Sequence, residues 1–504
     1  MPGPALRLIH MTRTTQSISE FLDDLWSGLD DTSPAAAEQE PVGVELPEEL
    51  LDRALGLASK GADSGRTRKS RSGRPNSPNA ATRSTFVPPL PKTLDDTGLP
   101  EDQIARLILK LLAVRGTLTG RNIAAHIRLP FTIVEGVLAS LRREQLLGLK
   151  GEGAVGDYSY VVSEKGVAIA RELSRECTYF GAAPVTMSQY IAAMEQQTIT
   201  NLTVTAASLR SAFSDLLIED AVLDMLGPAI NSGRGLFLFG EPGNGKTSIA
   251  ERVAKAFGDN IWIPRAIAVD GQIIRVDDPG IHELVESTAS ASRSAHDSAT
   301  DDRWVRIKRP TVIAGGELTM DELEVSMDES SHILEAPLQF KSNGGVMLID
   351  DFGRQRMPVD ELLNRWIVPL EKRFDLLNLP SGKKVQVPFD QLVIFSTNLQ
   401  PRDLVDEAFL RRIPYKIHVP NPSPAHFREL FRIMSESMDV PFDDEAVDYL
   451  IRTHYEASGR SPRVCHPRDL LMQIRNLCAH EQSPMELTRE SMDFAVRCYF
   501  SVLS

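Results

Sequence analysis

The chain has 504 residues, of which 42% are hydrophobic and 25% are charged, and its formal net charge at pH 7 is −14. This length predicts two or three domains of ordinary globular composition. The acidic balance argues against non-specific coating of nucleic acid. No apolar run approaches the roughly eighteen residues of a membrane span, and no apolar secretion signal opens the chain. We therefore expect a cytoplasmic protein without a membrane span.

Residues 1–95 are expected to form a mostly disordered leader and linker. Two patterned pieces, 18–26 and 46–59, are too short to bury a core alone. The stretch 60–83 is rich in Ser, Gly, Pro and Arg. Such a composition does not bury enough apolar surface to offset the entropy lost on ordering.

Residues 96–178 carry the pattern of a small domain with three helices, two strands and a closing helix. Apolar residues recur at helical spacing in each predicted helix, and 146–149 and 158–162 are predicted strands. This order resembles a winged helix-turn-helix domain, whose third helix would enter a DNA major groove. That helix lacks a series of Asn, Gln and Arg suited to base edges. Contact with DNA and docking to protein therefore both stay open.

After a connector at 179–199, the core of the protein is expected to span 200–420. The apolar stretch 236–239 precedes a glycine-rich turn of the pattern G-x-x-x-x-G-K-[ST], and a helical pattern follows. Backbone N–H groups of such a turn converge on phosphate oxygens at the positive end of a helix. The residues predicted to bind nucleotide are Gly240, Glu241, Pro242, Gly243, Asn244, Gly245, Lys246, Thr247 and Ser248. Lys246 would contact the β and γ phosphates, and the Thr247 hydroxyl would ligate Mg²⁺.

Two further apolar strands end in polar residues. The first ends in Asp350, a predicted Mg²⁺ ligand, and Asp351, predicted to polarise the attacking water. The second, 392–395, leads to Asn398, which is placed to orient that water or to contact the γ-phosphate. A predicted β-hairpin precedes it, at 374–379 and 384–387. The long segment between the glycine-rich turn and the acid pair is interpreted as an insertion that engages a client or partner.

The order of glycine-rich turn, acid pair, polar strand tip and the arginine pair Arg411-Arg412 resembles the AAA+ ATPase superfamily over about 200–504. The hairpin is similar to the branch that includes MoxR-like chaperones. The resemblance implies an α/β P-loop NTPase, with a parallel sheet flanked by helices, followed by a helical lid at 421–504. It also implies that Asn398 is a sensor residue. Arg411 or Arg412 would be the arginine finger that completes a neighbouring subunit's site.

AAA+ lids place a second sensor arginine near the start of a helix. By this resemblance Arg468 is the nucleotide-contacting candidate, and Arg463 is the weaker alternative. The implied function is ATP hydrolysis with Mg²⁺ at the subunit interfaces of a homo-oligomeric ring, with a hexamer as the expected form. The energy would remodel a macromolecular client, for which an unidentified protein is expected and DNA is possible through the winged helix. A DNA-directed loader or regulator and an ATP-gated scaffold with negligible turnover are the alternatives.

Overall fold

The computed structural model describes residues 86–152, 157–258, 260–285, 300–405 and 407–500. The leader up to residue 85, with its two patterned pieces, lies outside these residues. The expected leader is too long at its C-terminal end, because Phe86 packs edge-on against Trp304 and Pro89 forms a β-bridge with Thr300. Among the described helices, no single one is long and apolar enough to cross a membrane; the bent pair 120–127 and 131–143 qualifies only when taken together.

The N-terminal domain has the three predicted helices, the two predicted strands and the closing helix, and in addition a two-residue strand that was not predicted. They are α1 (Glu101–Arg115), β1 (Leu118–Thr119), α2 (Gly120–Ile127), α3 (Phe131–Arg143), β2 (Leu147–Glu152), β3 (Tyr158–Val162) and α4 (Glu164–Glu176). The strands form an antiparallel sheet of order β1-β3-β2. The apolar faces of α1, α2 and α3 share one core. The Asp157 carboxylate accepts hydrogen bonds from the N–H groups of Gly120 (2.9 Å) and Arg121 (3.0 Å), which fixes the start of α2.

From residue 185 to residue 418 the chain forms two five-stranded sheets and two separate antiparallel pairs of strands. The elements before the acid pair are β4 (Val185–Thr186), α5 (Met187–Gln197), α6 (Ala206–Ala212), α7 (Asp220–Ser232), β5 (Leu236–Phe239), α8 (Lys246–Ala256), β6 (Asn260–Pro264), β7 (Ala266–Val269), β8 (Gln272–Arg275), β9 (Trp304–Lys308), β10 (Thr311–Ala314), β11 (Ser326–Met327), β12 (Leu334–Glu335), α9 (Leu338–Lys341) and β13 (Val346–Ile349). Those after it are α10 (Val359–Lys372), β14 (Phe374–Asn378), β15 (Lys384–Pro388), β16 (Leu392–Thr397), α11 (Pro401–Leu404), α12 (Glu407–Arg412) and β17 (Tyr415–His418).

The first of the two sheets is parallel, with the order β10-β13-β16-β5-β17. Successive side chains of β5 point to opposite faces, so that Leu236 and Leu238 pack with α6, α7 and α8 while Phe237 packs with α10. Helices thus cover both faces, as a parallel sheet requires. The predicted parallel sheet flanked by helices is confirmed. Because all five strands run the same way, their carboxyl ends meet at one edge.

The second sheet is built from the predicted insertion and the predicted connector. Its order is β11-β12-β8-β7-β4, and the connector strand β4 pairs in parallel with β7. Ala266 of β7 and Ile273 of β8 belong to the same apolar cluster as the N-terminal helices. The connector is therefore an integral strand and helix of this layer. The predicted hairpin is also present, as the antiparallel pair β14 and β15.

The C-terminal helices pack around a core of their own. They are α13 (Pro424–Ser437), α14 (Asp444–Leu450), a π-helical turn (Ile451–Glu456), α15 (His466–Glu481) and α16 (Arg489–Phe500). Phe427, Phe431, Leu450, Leu470 and Ile474 are fully buried in this cluster. The region corresponds to the predicted helical lid.

A buried ion pair just before β9 contacts the backbone at the start of the N-terminal domain and the residue that precedes β4. Arg303 is 2% exposed, and its guanidinium contacts the Asp301 carboxylate at 2.8 Å. The same guanidinium donates to the carbonyl oxygens of Thr97 (2.9 Å) and Pro184 (3.2 Å). One side chain thus ties together three segments that are distant in sequence.

We expect Arg303→Met to lower the free energy of unfolding by about 3–5 kcal/mol, because it leaves the Asp301 carboxylate buried without its counter-charge. Urea unfolding of the full chain measures the change. Arg306→Ala, at an exposed position of the strand β9 that directly follows Arg303, is the matched control. Equal midpoints for the two variants would contradict the role given to Arg303.

Candidate nucleotide-binding site

The predicted site residues meet at the carboxyl edge of the parallel sheet. Strands β13, β16 and β5 are neighbours, and each is followed directly by part of the site. The Thr247 hydroxyl donates to the Asp350 carboxylate at 2.8 Å, and the Lys246 ammonium donates to the Asn398 side-chain oxygen at 2.7 Å. The Asn398 amide in turn donates to the Asp351 carboxylate at 3.2 Å. These bonds form a pair, Thr247 with Asp350, and a trio, Lys246 with Asn398 and Asp351. The backbone N–H of Asp351 joins the two groups by donating to the Asp350 carboxylate at 3.0 Å, so that three chain segments meet in one polar network.

The glycine-rich turn wraps around the Lys246 side chain. The ammonium donates to the carbonyl oxygens of Gly240 (2.9 Å) and Glu241 (3.1 Å). Burial lowers the pKa of Lys246, while the carboxylates of Asp350 and Asp351 act in the opposite direction. A cation held at the start of α8, where the helix dipole is positive, makes this a strong anion site.

The turn needs glycine where the backbone approaches its neighbours. Gly240 has φ +148°, and a Cβ there would lie 2.3 Å from the carbonyl oxygen of Val419. Gly243 has φ +84°, and a Cβ there would lie 2.5 Å from the Cys465 sulfur. Both approaches exclude any larger residue without a shift of backbone or lid.

The oxygen atoms of this network suit a magnesium ion. Mg²⁺ prefers hard oxygen ligands and keeps several of its waters, so one hydroxyl and one carboxylate beside a phosphate chain are a sufficient protein contribution. Thr247 and Asp350 supply these two groups. Asp351 follows at a left-handed φ of 50°, and its N–H donates to Asp350 at 3.0 Å. The two carboxylates therefore lie in one tight turn, where Asp350 accepts from Thr247 and Asp351 accepts from Asn398.

The lid contacts the turn through residues 463–465. The Arg463 guanidinium donates to the Glu241 carboxylate at 3.2 Å. Two backbone N–H groups add to this contact: that of Cys465 donates to the Gly243 carbonyl (2.9 Å), and that of Val464 to the Asn244 side-chain oxygen (3.4 Å). The lid thus touches the predicted phosphate-binding turn directly.

The preferred sensor arginine is placed differently from the expectation. Arg468 is 62% exposed, and its guanidinium bonds to the adjacent Asp469 carboxylate at 3.0 Å. The arginine that the structure brings to the turn is Arg463, the weaker candidate. The cause is local: Arg468 lies within α15, whereas Arg463 precedes the helix in the segment that crosses the turn.

His466 fixes the backbone of that segment. Its Nδ1 accepts from the Arg463 N–H (3.2 Å), so the Tyr455 hydroxyl at 2.9 Å must donate to the same atom and Nε2 carries the proton. Burial, aided by the charge of Arg463, lowers the pKa of His466 to about 4. Protonation at Nδ1 would remove the acceptor that both groups share.

The two candidate finger arginines lie on α12, and they differ in their surroundings. The Arg411 side chain is 82% exposed and lies 3.8 Å from Glu407 on the same helix. Arg412 is 29% exposed and donates to the Glu371 carboxylate at 2.8 Å. Arg411 presents its charge to solvent, whereas Arg412 is tied to α10.

An apolar pocket beside the turn was not anticipated from the sequence. It reaches Asn244 and Gly245 of the turn and continues onto the lid at His426. Its apolar lining includes Leu216, Leu217, Ile218, Val222, Ile249 and Val464. The run 216–218 was the available signal. Scattered apolar residues of this kind match no motif, and only the fold brings them to one place.

A family model described as a domain of unknown function, DUF8689, matches residues 423–498, which are the lid helices. None of the curated proteins matches the chain. Among solved structures, the Thermotoga maritima RuvB Holliday junction branch migration motor is similar over 59% of this chain and 73% of its own, at 16% identity and a TM-score of 0.33. Brucella abortus NtrX in complex with ADP is similar over 65% and 64%, at 13% identity and a TM-score of 0.34. A chain from the BchI–BchD complex of magnesium chelatase is similar over 58% of this chain and 95% of its own, at 18% identity and a TM-score of 0.28. Values this low do not assign a function.

We expect the lid to loosen as the pH falls from about 6.5 to about 4. The pKa of His466 is depressed on folding, so the unfolded state binds a proton that the native state lacks, and stability is lost as the pH falls through this window. His466→Gln keeps an acceptor but does not titrate. In this variant the protection factors of the α15 amides against hydrogen exchange should depend less on pH than in the wild type. His480→Gln, at an exposed position of the same helix, should leave this pH dependence unchanged. Parallel pH profiles for wild type and His466→Gln would disprove this.

Proposed function

We propose that this chain is an AAA+-type ATPase that hydrolyses ATP with Mg²⁺ at interfaces between its own copies and uses the energy to remodel a macromolecular client. The observation that carries the proposal is the convergence of Lys246, Thr247, Asp350 and Asn398 at one sheet edge, within 2.8 Å contacts. Nucleotide-binding P-loop sites need this set of charges around a triphosphate.

Each member of the network has a distinct role in this proposal. The amides of the turn and the Lys246 ammonium bind the phosphates, while Thr247 and Asp350 hold Mg²⁺. The ion, when bound, neutralises charge on the β and γ phosphate oxygens. The Asp351 carboxylate polarises the attacking water. Asn398, which bridges Lys246 and Asp351 in the structure, keeps that carboxylate aligned and orients the water.

The apolar pocket beside the turn is the proposed base site. It adjoins Asn244 and Gly245, so a base seated there would leave its phosphates to run along the turn. An apolar lining stabilises a heteroaromatic ring by burial. The lid contributes His426 and Val464 to the lining, so base binding would draw on both the core and the lid.

Arg411 is the proposed finger for a neighbouring copy. An arginine supplied in trans must be free to leave its own surface, and Arg411 is the more exposed of the pair with the longer ion contact. Its guanidinium would neutralise charge on the transferred phosphoryl group of the neighbour. A homo-oligomeric ring follows from this role as part of the proposal.

We also propose that residues 96–178 are a winged-helix domain that positions the client. Helix α3 exposes Glu135 near its beginning and Arg142 and Arg143 at its end. Base reading depends on donor-rich side chains near the start of such a helix. This surface therefore favours protein docking over a DNA-directed loader, which remains the second hypothesis.

Lys246→Ala should weaken binding of a fluorescent ATP analogue by about ten- to hundred-fold or more, because charge-assisted hydrogen bonds to the phosphates are lost. Equilibrium titration of the full chain in Mg²⁺ measures this. Lys255→Ala, an exposed lysine at the other end of α8, is the control and should bind normally. Unchanged affinity in Lys246→Ala would refute the site.

Arg411→Ala should bind ATP but lose turnover by up to about 10³-fold, whereas Arg412→Ala should chiefly affect stability. Mixing Arg411→Ala with Lys246→Ala should restore part of the ATPase rate, because the second variant lends its Arg411 to a neighbour whose Lys246 is intact. The rate is measured against total protein concentration. A wild-type rate near zero at every concentration would instead support the ATP-gated scaffold.

A further inference from the structure

The contact between the lid and the phosphate-binding turn contains one exchangeable pair and two fixed bonds. The fixed bonds are donated by the backbone N–H groups of residues 464 and 465. The Nδ1 atom of His466 accepts a hydrogen bond from the Arg463 N–H and so holds the backbone there. The exchangeable pair is Arg463 with Glu241, joined at 3.2 Å with both side chains partly exposed. The Arg463 backbone is therefore held in place while its guanidinium is free to change partner.

Glu241 is an unusual group to find in a turn that binds phosphate. Its carboxylate carries the same sign as the proposed ligand, and it lies close enough to Lys246 to oppose in part the lowering of that lysine's pKa by burial. Arg463 is also close enough to act on Lys246, and its positive charge favours a lower pKa of the lysine. Both charges of the pair thus fall within electrostatic reach of the lysine that would bind the β and γ phosphates.

We propose that Glu241 is a positioning residue, which holds Arg463 on the turn before nucleotide binds and releases it to the terminal phosphate of a nucleoside triphosphate. The inference rests on the function proposed above. A triphosphate offers more negative charge than one carboxylate, so the guanidinium gains by the exchange. The diphosphate lacks the terminal group, so Arg463 stays with Glu241. The exchange would let the lid distinguish the two nucleotides without leaving the turn.

The test is a double-mutant cycle on the full chain with Glu241→Gln and Arg463→Ala. The readout is the ratio of ATP to ADP affinity in Mg²⁺, from equilibrium titration with labelled nucleotides. Glu241→Gln should raise this ratio by about two- to five-fold, the range expected for a partly exposed ion pair. Arg463→Ala should lower the ratio. In the Arg463→Ala background, Glu241→Gln should no longer raise it.

Matched controls separate the exchange from general effects. Glu251→Gln removes the same charge from the middle of α8, where Glu251 pairs with Arg252 on its own helix. Arg475→Ala removes an exposed arginine of α15. Neither should change the ratio. Unfolding midpoints of all variants show whether a loss of binding reflects a loss of folding.

Two results would overturn the exchange. An equal or larger gain from Glu241→Gln without Arg463 would mean that the carboxylate only repels phosphate. No change of ratio in either single variant would mean that Arg463 does not reach the terminal phosphate. If wild type binds neither nucleotide, the proposed function itself fails; normal binding with an additive cycle contradicts this inference alone.

Discussion

The site depends on the burial of one ammonium group at the edge of a parallel sheet. Lys246 is enclosed by the carbonyl groups of its own turn and by Asn398, and the acid pair stands beside it. This arrangement requires β5, β13 and β16 to be neighbours in the same direction and register. A sheet that is covered on both faces holds these strands rigidly. The charges are therefore preorganised by the apolar core beneath them, which is where most of the folding energy lies.

The second sheet and the lid extend this core in different ways. The second sheet is continuous with the N-terminal domain through shared apolar packing and the buried pair Arg303–Asp301. The lid has a separate core and meets the glycine-rich turn through a few polar contacts. A change at the turn would therefore be felt first by the lid. The N-terminal domain would follow the second sheet, to which it is packed.

The sequence predicted those parts that short-range patterns encode. An apolar strand precedes each of three motifs: the glycine-rich turn, the acid pair and Asn398. The order of these motifs along the chain predicted the parallel sheet. The sequence does not decide between Arg463 and Arg468, because this depends on which of the two the fold brings to a turn more than 200 positions away. The structure places Arg463 there. The connector strand β4 is two residues long, too short for any periodic signal. The apolar pocket has no motif, since its lining comes from four distant segments.

The pairs Arg303–Asp301 and Arg463–Glu241 differ in burial, and this difference suits the different roles that we assign to the two contacts. Arg303 and Asp301 are almost fully enclosed, and breaking such a pair leaves an uncompensated charge at a cost of about 3–5 kcal/mol. Arg463 and Glu241 are half in solvent, where water and salt screen both charges and the pair contributes about 0–1 kcal/mol. An interface that must stay joined is served by the first kind of pair. The exchange of partners proposed for Arg463 is served by the second kind of pair, because thermal energy is enough to open it.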